Sequence, residues 1–437
     1  MSKNMYSISR LTKPLPNVKL ENLREYINFN LIILQILIVL TTIRWIPGVH
    51  PRSIRNVWKV LMVLFILYQT YAQLRDHKIV LPWIYLLSAA VLVGLGIFAY
   101  GFLTDSLIIA FGCVTVIYFY QNKNSLKIIF HTFTIWLTIV TLYSLIITFT
   151  PLSGFDMAFP LYDGYVSPEV RFSNSSIELN SFGFFGERGI YSITSVGLIL
   201  SYVYYVKLNS KLSKLYLLSS YILFTQLITI YWLTGSGRAG FVLPIFFVIV
   251  MLLQKTSNES ILPLVVFSPL FLWTGLYLIK DYQTVRPLLE SLNNLISNRI
   301  ALYFDSIQLL TSNLQSFFGW GPNPWGEYTR AEMEITNSIG SPRSMLTRPH
   351  NFLFEFMIQY GILLGCFLIY ICWTVSRGTI QEIRQPTSPT RFALGVILTG
   401  TIFTGLAVGG KIGPYPINTP QMIFWWIAFG GFVSDIH

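Results

Sequence analysis

The stretch Thr347-Arg-Pro-His-Asn-Phe-Leu-Phe-Glu-Phe-Met-Ile-Gln-Tyr-Gly-Ile-Leu-Leu-Gly365 places an imidazole, a carboxamide and a carboxylate at the start of a long apolar run. Pro349 suits the first position of a helix, where its missing N–H would be unpaired in any case. His350 and Asn351 then fall in the first turn, and Glu355, four residues after Asn351, shares a helix face with it. Glu355 sits about 6–8 Å down that helix from His350. An imidazole titrates near neutral pH, which makes His350 a candidate general base, with Asn351 or Glu355 to orient it. Arg343 and Arg348 lie just before the helix start, whose N–H groups and positive dipole end favour an anion such as phosphate. Taken alone, the same residues also read as a helix cap and a structural ion pair.

Three further polar stretches are expected on the same side of the chain's apolar runs. Leu233-Thr-Gly-Ser-Gly-Arg-Ala-Gly240 offers a glycine turn with exposed N–H groups and sets Arg238 at the mouth of the next helix. Phe182-Gly-Phe-Phe-Gly-Glu-Arg-Gly189 brings Glu187 and Arg188 to a helix start. Asn298-Arg299 is followed by Gly319-Trp-Gly-Pro-Asn-Pro-Trp325, a rigid turn whose tryptophans suit either sugar stacking or the membrane interface. Arginine forks suit such an anion, and Arg238, Arg343 and Arg348 are the leading candidates, with Arg299 and Arg188 behind them.

The elements that must hold these residues are membrane helices. The chain of 437 residues is 53% hydrophobic, 16% aromatic and only 11% charged, more apolar surface than a soluble protein of this size can bury. Apolar runs predict an all-α integral membrane protein of about twelve transmembrane helices. They lie near 27–43, 57–74, 79–99, 102–120, 128–149, 190–206, 215–233, 239–254, 260–279, 350–375, 392–410 and 420–434. The first and last are the weakest, the first carrying Asn28, Asn30 and Gln35. Continuous apolar runs, in place of alternating ten-residue segments, exclude a membrane β-barrel.

Lys and Arg collect in the loops that are inside when the N-terminus is inside, so both termini are expected to be cytoplasmic. Residues 1–437 then form one polytopic membrane domain with two sizeable outer segments, 150–189 and 281–349. The second lies between helices nine and ten. Its Leu288, Leu292, Leu295, Tyr303, Ile307, Leu310 and Leu314 recur at helical spacing and predict one or two amphipathic helices. The net charge of +11 is explained by orienting loops, because no basic block interleaves with aromatics as in a nucleic-acid-binding surface. Cys113, Cys366 and Cys372 fall in apolar runs without metal-ligand spacing, and Arg44 to Asn56, the first outer loop, lacks Asp and Glu. No metal and no cofactor are therefore expected.

Thr234-Gly-Ser-Gly-Arg-Ala-Gly240, Asn298-Arg-Ile300, Phe318-Gly-Trp-Gly-Pro322 and His350-Asn-Phe-Leu-Phe-Glu355 with Gly361 and Gly365 resemble the O-antigen ligase and O-antigen polymerase superfamily. The resemblance is strongest over 180–375. It implies a metal-independent glycosyltransferase in a bacterial inner membrane, with its site on the periplasmic side. The donor would be a polyprenyl-diphosphate-linked oligosaccharide, its diphosphate held by those arginines without a metal, and the acceptor a glycan or lipid-glycan hydroxyl, with membrane lipids and a chain-length regulator as further implied partners. It also implies catalysis by His350, with Asn351, Glu355 and Glu187 in support. The family often has Ser-Arg-Gly where this chain has Ser-Gly-Arg, and Arg171 reaches Gly183 one residue late for a paired polymerase loop. Polymerisation of surface-polysaccharide repeat units and ligation to a lipid A-core both stay open, and a polysaccharide-lipid flippase is the non-enzyme alternative.

Overall fold

The computed structural model describes residues 28–42, 51–75, 103–129, 170–173, 176–179, 258–295, 299–312, 314–321, 351–385, 387–407 and 420–434, with single helical positions between 131 and 139 and between 246 and 253. In chain order the helices are α1 (Phe29–Thr42), α2 (Pro51–Arg75), α3 (Leu103–Gln121), α4 (Ile261–Leu278), α5 (Arg286–Leu295) and α6 (Arg299–Ser312). After a 3-10 turn, Leu314–Phe317, come α7 (Phe352–Tyr360), α8 (Ile362–Arg384), α9 (Pro389–Ala407) and α10 (Pro420–Val433). β1 (Val170–Ser173) and β2 (Ser176–Leu179) pair antiparallel as a hairpin, with Val170 opposite Leu179. The described part is thus helical apart from this hairpin, which lies in the segment 150–189 and departs from a strictly all-α expectation.

Four described helices are long and apolar enough to cross a membrane: Asn56–Arg75, Ile261–Leu278, Ile362–Arg384 and Thr390–Ala407. The last is 89% buried in the protein, whereas the others leave most of their length open, so α9 is the central post and its neighbours form the wall. It packs against α4, α7, α8 and α10. Close approach is possible because a Cβ on Gly395 would lie 2.7 Å from the Phe432 ring and 2.8 Å from Thr379 Oγ1. Small residues serve the same purpose wherever apolar side chains gain nothing by leaving lipid. A second group joins α1, α2 and α3 to α10, and there the Thr115 hydroxyl bonds to the Gly112 and Trp426 carbonyls at 2.6 and 3.2 Å.

The polar residues that weaken α1 as a membrane helix tie it to its neighbours. Asn30 Nδ2 donates to Gln69 Oε1 at 2.6 Å, and Gln69 Nε2 donates to Gln121 Oε1 at 2.8 Å. Gln35 Nε2 donates to Thr132 Oγ1 at 3.0 Å. Amide N–H groups that would be costly in lipid find acceptors between helices instead, while Asn30 Oδ1 is buried without a partner among the described residues.

At one end of the bundle the α8–α9 connection is clamped by charge. Glu382 is buried; it pairs with Arg391 at 3.2 Å and accepts from the Thr387 hydroxyl at 2.7 Å and the Thr387 N–H at 3.0 Å. Arg377 meets Glu259 at 3.2 Å at the same end, in a more exposed pair.

The run expected as one helix over 350–375 is broken. α7 stops at Tyr360, and Gly361 turns the chain with φ 93° and ψ 159° before α8 begins. Thr379 and Thr399, with their hydroxyls 2.8 Å apart, fix the α8–α9 register. Gly361 lies 18 residues before Thr379, about 27 Å along α8, while Leu406 lies seven residues past Thr399, about 10 Å along α9. Asn351 nevertheless bonds to Leu406. α7 therefore slopes back from Gly361 beside α8 and does not extend it, with Met357 packed on Gly365.

The amphipathic pattern in 281–349 yields two helices, with two differences. Tyr303, Ile307 and Leu310 are buried as their spacing implies, but Leu288 is 59% exposed beside a buried Leu289, and Leu314, in the 3-10 turn beyond α6, is 81% exposed. Two separate helices, α5 and α6, do not keep one common phase. The predicted helices at 79–99, 190–206 and 215–233 lie outside the described residues.

Candidate functional site

Trp273, on α4, is the point on which three helix ends converge. Its Nε1 donates to the Leu406 carbonyl at 3.0 Å. That carbonyl belongs to the last turn of α9, where no intrahelical N–H is left to reach it. Asn351 Nδ2 donates to the same oxygen at 3.1 Å. The other end of the amide caps α7, with Oδ1 accepting from the N–H groups of Leu353 at 3.1 Å and Phe354 at 3.3 Å. Asn351 thus joins the positive end of one helix to the negative end of another, and it is fully buried.

α6 brings its own first turn to the same place. The Tyr303 ring lies 5.1 Å from that of Trp273 and 6.0 Å from that of Phe354. Asn293, near the end of α5, accepts from the Ala301 N–H at 3.1 Å and so caps α6. Arg299, the first residue of α6, stands one turn before Tyr303. Burial pushes the Tyr303 phenol up to about 12, with Arg299 acting in the opposite sense.

At the far end α7 is held by the Gly319-Trp320-Gly321 turn. Trp320 N donates to Ile358 O at 2.9 Å and Gly321 N to Gln359 O at 3.1 Å, which satisfies carbonyls that the helix break leaves over. Gly319 has φ 86°, and a Cβ there would strike the Gln359 carbonyl; a Cβ on Gly361 would strike that of Phe317. The two glycine motifs are therefore one interlocked joint. Trp320 packs against the buried cluster around Trp273, Tyr303 and Phe354, so its contacts are structural.

Of the residues singled out in the sequence, the structure places Arg299 at the start of α6 and Asn351 and Glu355 at the start of α7, two helices that pack against each other. Glu355 is 2% exposed, one turn along α7 from Asn351. Two expectations change. The Leu353 and Phe354 N–H groups are taken by Asn351 itself, so they are not open to an anion at this helix start. And Asn351 begins a buried helix that slopes back beside α8, not an outward-facing membrane span. His350, Arg188, Arg238, Arg343, Arg348 and Glu187 lie outside the described residues.

Two further residues buried here, Gln359 and Tyr303, do not stand out as site residues in the sequence. Gln359 continues the Asn351 and Glu355 stripe at the next interval of four, a signal present in the sequence. Tyr303 read only as part of an apolar face. Comparison with known proteins found no matching family model, no matching curated protein and no matching solved structure.

Proposed function

We propose that this protein is a membrane glycosyltransferase that moves an oligosaccharide from a polyprenyl-diphosphate carrier to an acceptor hydroxyl, at the outer face of a bacterial inner membrane. The observation that carries this reading is the meeting of the Arg299 turn of α6 with the Asn351 start of α7 around Trp273. Fixed helix starts with arginine at one and histidine next to the other supply what the reaction needs. The diphosphate is already a good leaving group and requires charge stabilisation more than a proton. Arg299, with Arg238, Arg343, Arg348 and Arg188, supplies that charge through planar forks. His350, the chain neighbour of Asn351, removes the acceptor proton, and buried Glu355 stands one turn away to support it. Glu187 is assigned a supporting part on sequence grounds alone.

Polymerisation of surface-polysaccharide repeat units is the leading form of the reaction, and ligation to a lipid A-core glycan is the alternative. A test uses the purified full chain with a synthetic polyprenyl-diphosphate-linked repeat unit, with product size read on a gel. A ladder is expected from polymerisation, a single added glycan on lipid A-core from ligation, and either should persist with a chelator present. Transfer to neither acceptor would remove the reading; loss with chelator and recovery with magnesium would replace the arginines by a metal ion.

Orientation is tested separately. Ser312, at the end of α6, and Ser388, between α8 and α9, lie toward opposite ends of α8. In a cysteine-free background, a cysteine at 312 should label from the outer side and one at 388 should not. The reverse pattern would put the site on the cytoplasmic face, away from the proposed donor.

A further inference from the structure

The end of the bundle clamped by Glu382 carries more positive charge than its carboxylates neutralise. Arg377, Arg384 and Arg391 lie there with Glu259 and Glu382, and the chain has no other acidic residue over 251–260 or 376–391. Glu382 is taken up by Arg391 and by both donors of Thr387. Glu259 Oε2 accepts from Arg377 Nε at 3.2 Å and from Gln381 Nε2 at 3.3 Å. Arg377, Gln381 and Arg384 follow at intervals of four and three and share one face of α8, while Glu382, two residues before Arg384, points away from it. Arg384 is left over: its Nε and Nη2 are buried, and neither has a partner among the described residues. The residue as a whole is only part-buried, so its guanidinium is not sealed inside the protein. A guanidinium does not lose its proton, so an anion, and not neutralisation, must offset this burial.

The height of Arg384 along α8 selects the source of that anion. The apolar span of α4 begins at Ile261, two residues after Glu259, so the Glu259–Arg377 pair marks the edge of the hydrocarbon. Arg384 lies seven residues beyond Arg377, about 10 Å along the helix, and its side chain leans back toward that edge. This is the depth of lipid headgroups, which form a layer roughly 5–7 Å thick on each face of the bilayer. We infer that Arg384 binds the phosphate of an anionic glycerophospholipid, of which phosphatidylglycerol is the simplest, at the end of the bundle away from Trp273. The planar fork of a guanidinium matches phosphate oxygens, and basic pockets beside membrane helices on the side expected to be cytoplasmic suit such headgroups. This site is independent of the proposed transferase chemistry.

The test titrates the full-length protein in detergent with phosphatidylglycerol and reads the tightest bound lipid by native mass spectrometry. Arg384→Gln should raise Kd for phosphatidylglycerol about tenfold, the effect of losing one hydrogen bond between charged groups, and leave phosphatidylcholine binding unchanged. Arg286→Gln is the control, since it removes an exposed arginine of α5 that pairs with Glu290, and it should weaken neither lipid. Equal affinity for phosphatidylglycerol in the Arg384→Gln and unaltered proteins would overturn the inference. An equal loss in the Arg286→Gln protein would do so too, since it would show an effect of bulk charge. Inorganic phosphate forms a separate arm: if it displaces phosphatidylglycerol as well as the lipid itself does, Arg384 is a site for a free anion and the lipid assignment fails. A second measurement needs no variant. Phosphatidylglycerol with a photoreactive headgroup, in nanodiscs of the unaltered protein, should crosslink within 376–391 or 258–264. Crosslinks confined to other segments would overturn the inference even where Arg384→Gln does not fold.

Discussion

Gly361→Ala is expected to unfold the joint between α7 and α8 and to lower the thermal stability of the whole protein sharply. The backbone at φ 93° and ψ 159° belongs to glycine almost alone, and a non-glycine residue there costs roughly 1–3 kcal/mol. The added Cβ would also run into the Phe317 carbonyl, forcing the turn that ends at Gly321 away from α7. The bonds from Trp320 N to Ile358 O and from Gly321 N to Gln359 O then fail, each leaving a buried carbonyl unpaired. Together these effects amount to roughly 3 kcal/mol or more, a large share of an ordinary stability margin. Gly275→Ala is the control, since a Cβ there has open space and lies inside the helix α4. It should be neutral or slightly stabilising. Detergent-solubilised protein heated in steps and run on a sizing column would separate the two. A Gly361→Ala protein as stable as the Gly275→Ala protein would mean that α7 and α8 are joined differently.

His350→Ala should lower turnover by roughly a hundredfold or more, the usual contribution of a positioned general base. Donor binding should change much less, because in the proposed function arginines hold the diphosphate. Asn351 gives the experiment its resolution. It already caps α7 and ties it to α9, so His350 is not required as the cap. His350→Gln keeps a polar group of similar reach and removes the titratable nitrogen. If His350 is the base, both variants express normally and are similarly inactive, and the activity of the unaltered protein falls as the imidazole protonates below its pKa. A Gln variant that still assembles product at near-normal rate would end the catalytic assignment.

The membrane-protein class, most boundaries of the described long helices and the two helices of 281–349 follow from the sequence by itself. Transfer of apolar surface from water depends on local composition, and helical periodicity depends on near neighbours, so both are legible without a fold. The stretches that meet at Trp273 were also legible as motifs, since glycine, proline and capping residues announce local geometry. Tertiary structure alone decided how those motifs fit together. Gly361 and Gly365 sit in one apolar run with the same local signals, yet Gly365 remains inside α8 and Gly361 breaks the helix. The difference is that the Gly319–Gly321 turn brings two N–H groups to the carbonyls which a break at Gly361 exposes. No neighbouring residue encodes that supply, because the donors come from about 40 residues upstream. Likewise Asn351 reads as a cap in the sequence, but its second bond depends on where α9 happens to end. Tyr303 reads as one more apolar-face residue, and only the packing of Trp273 and Phe354 around it leaves its hydroxyl buried without an acceptor among the described residues.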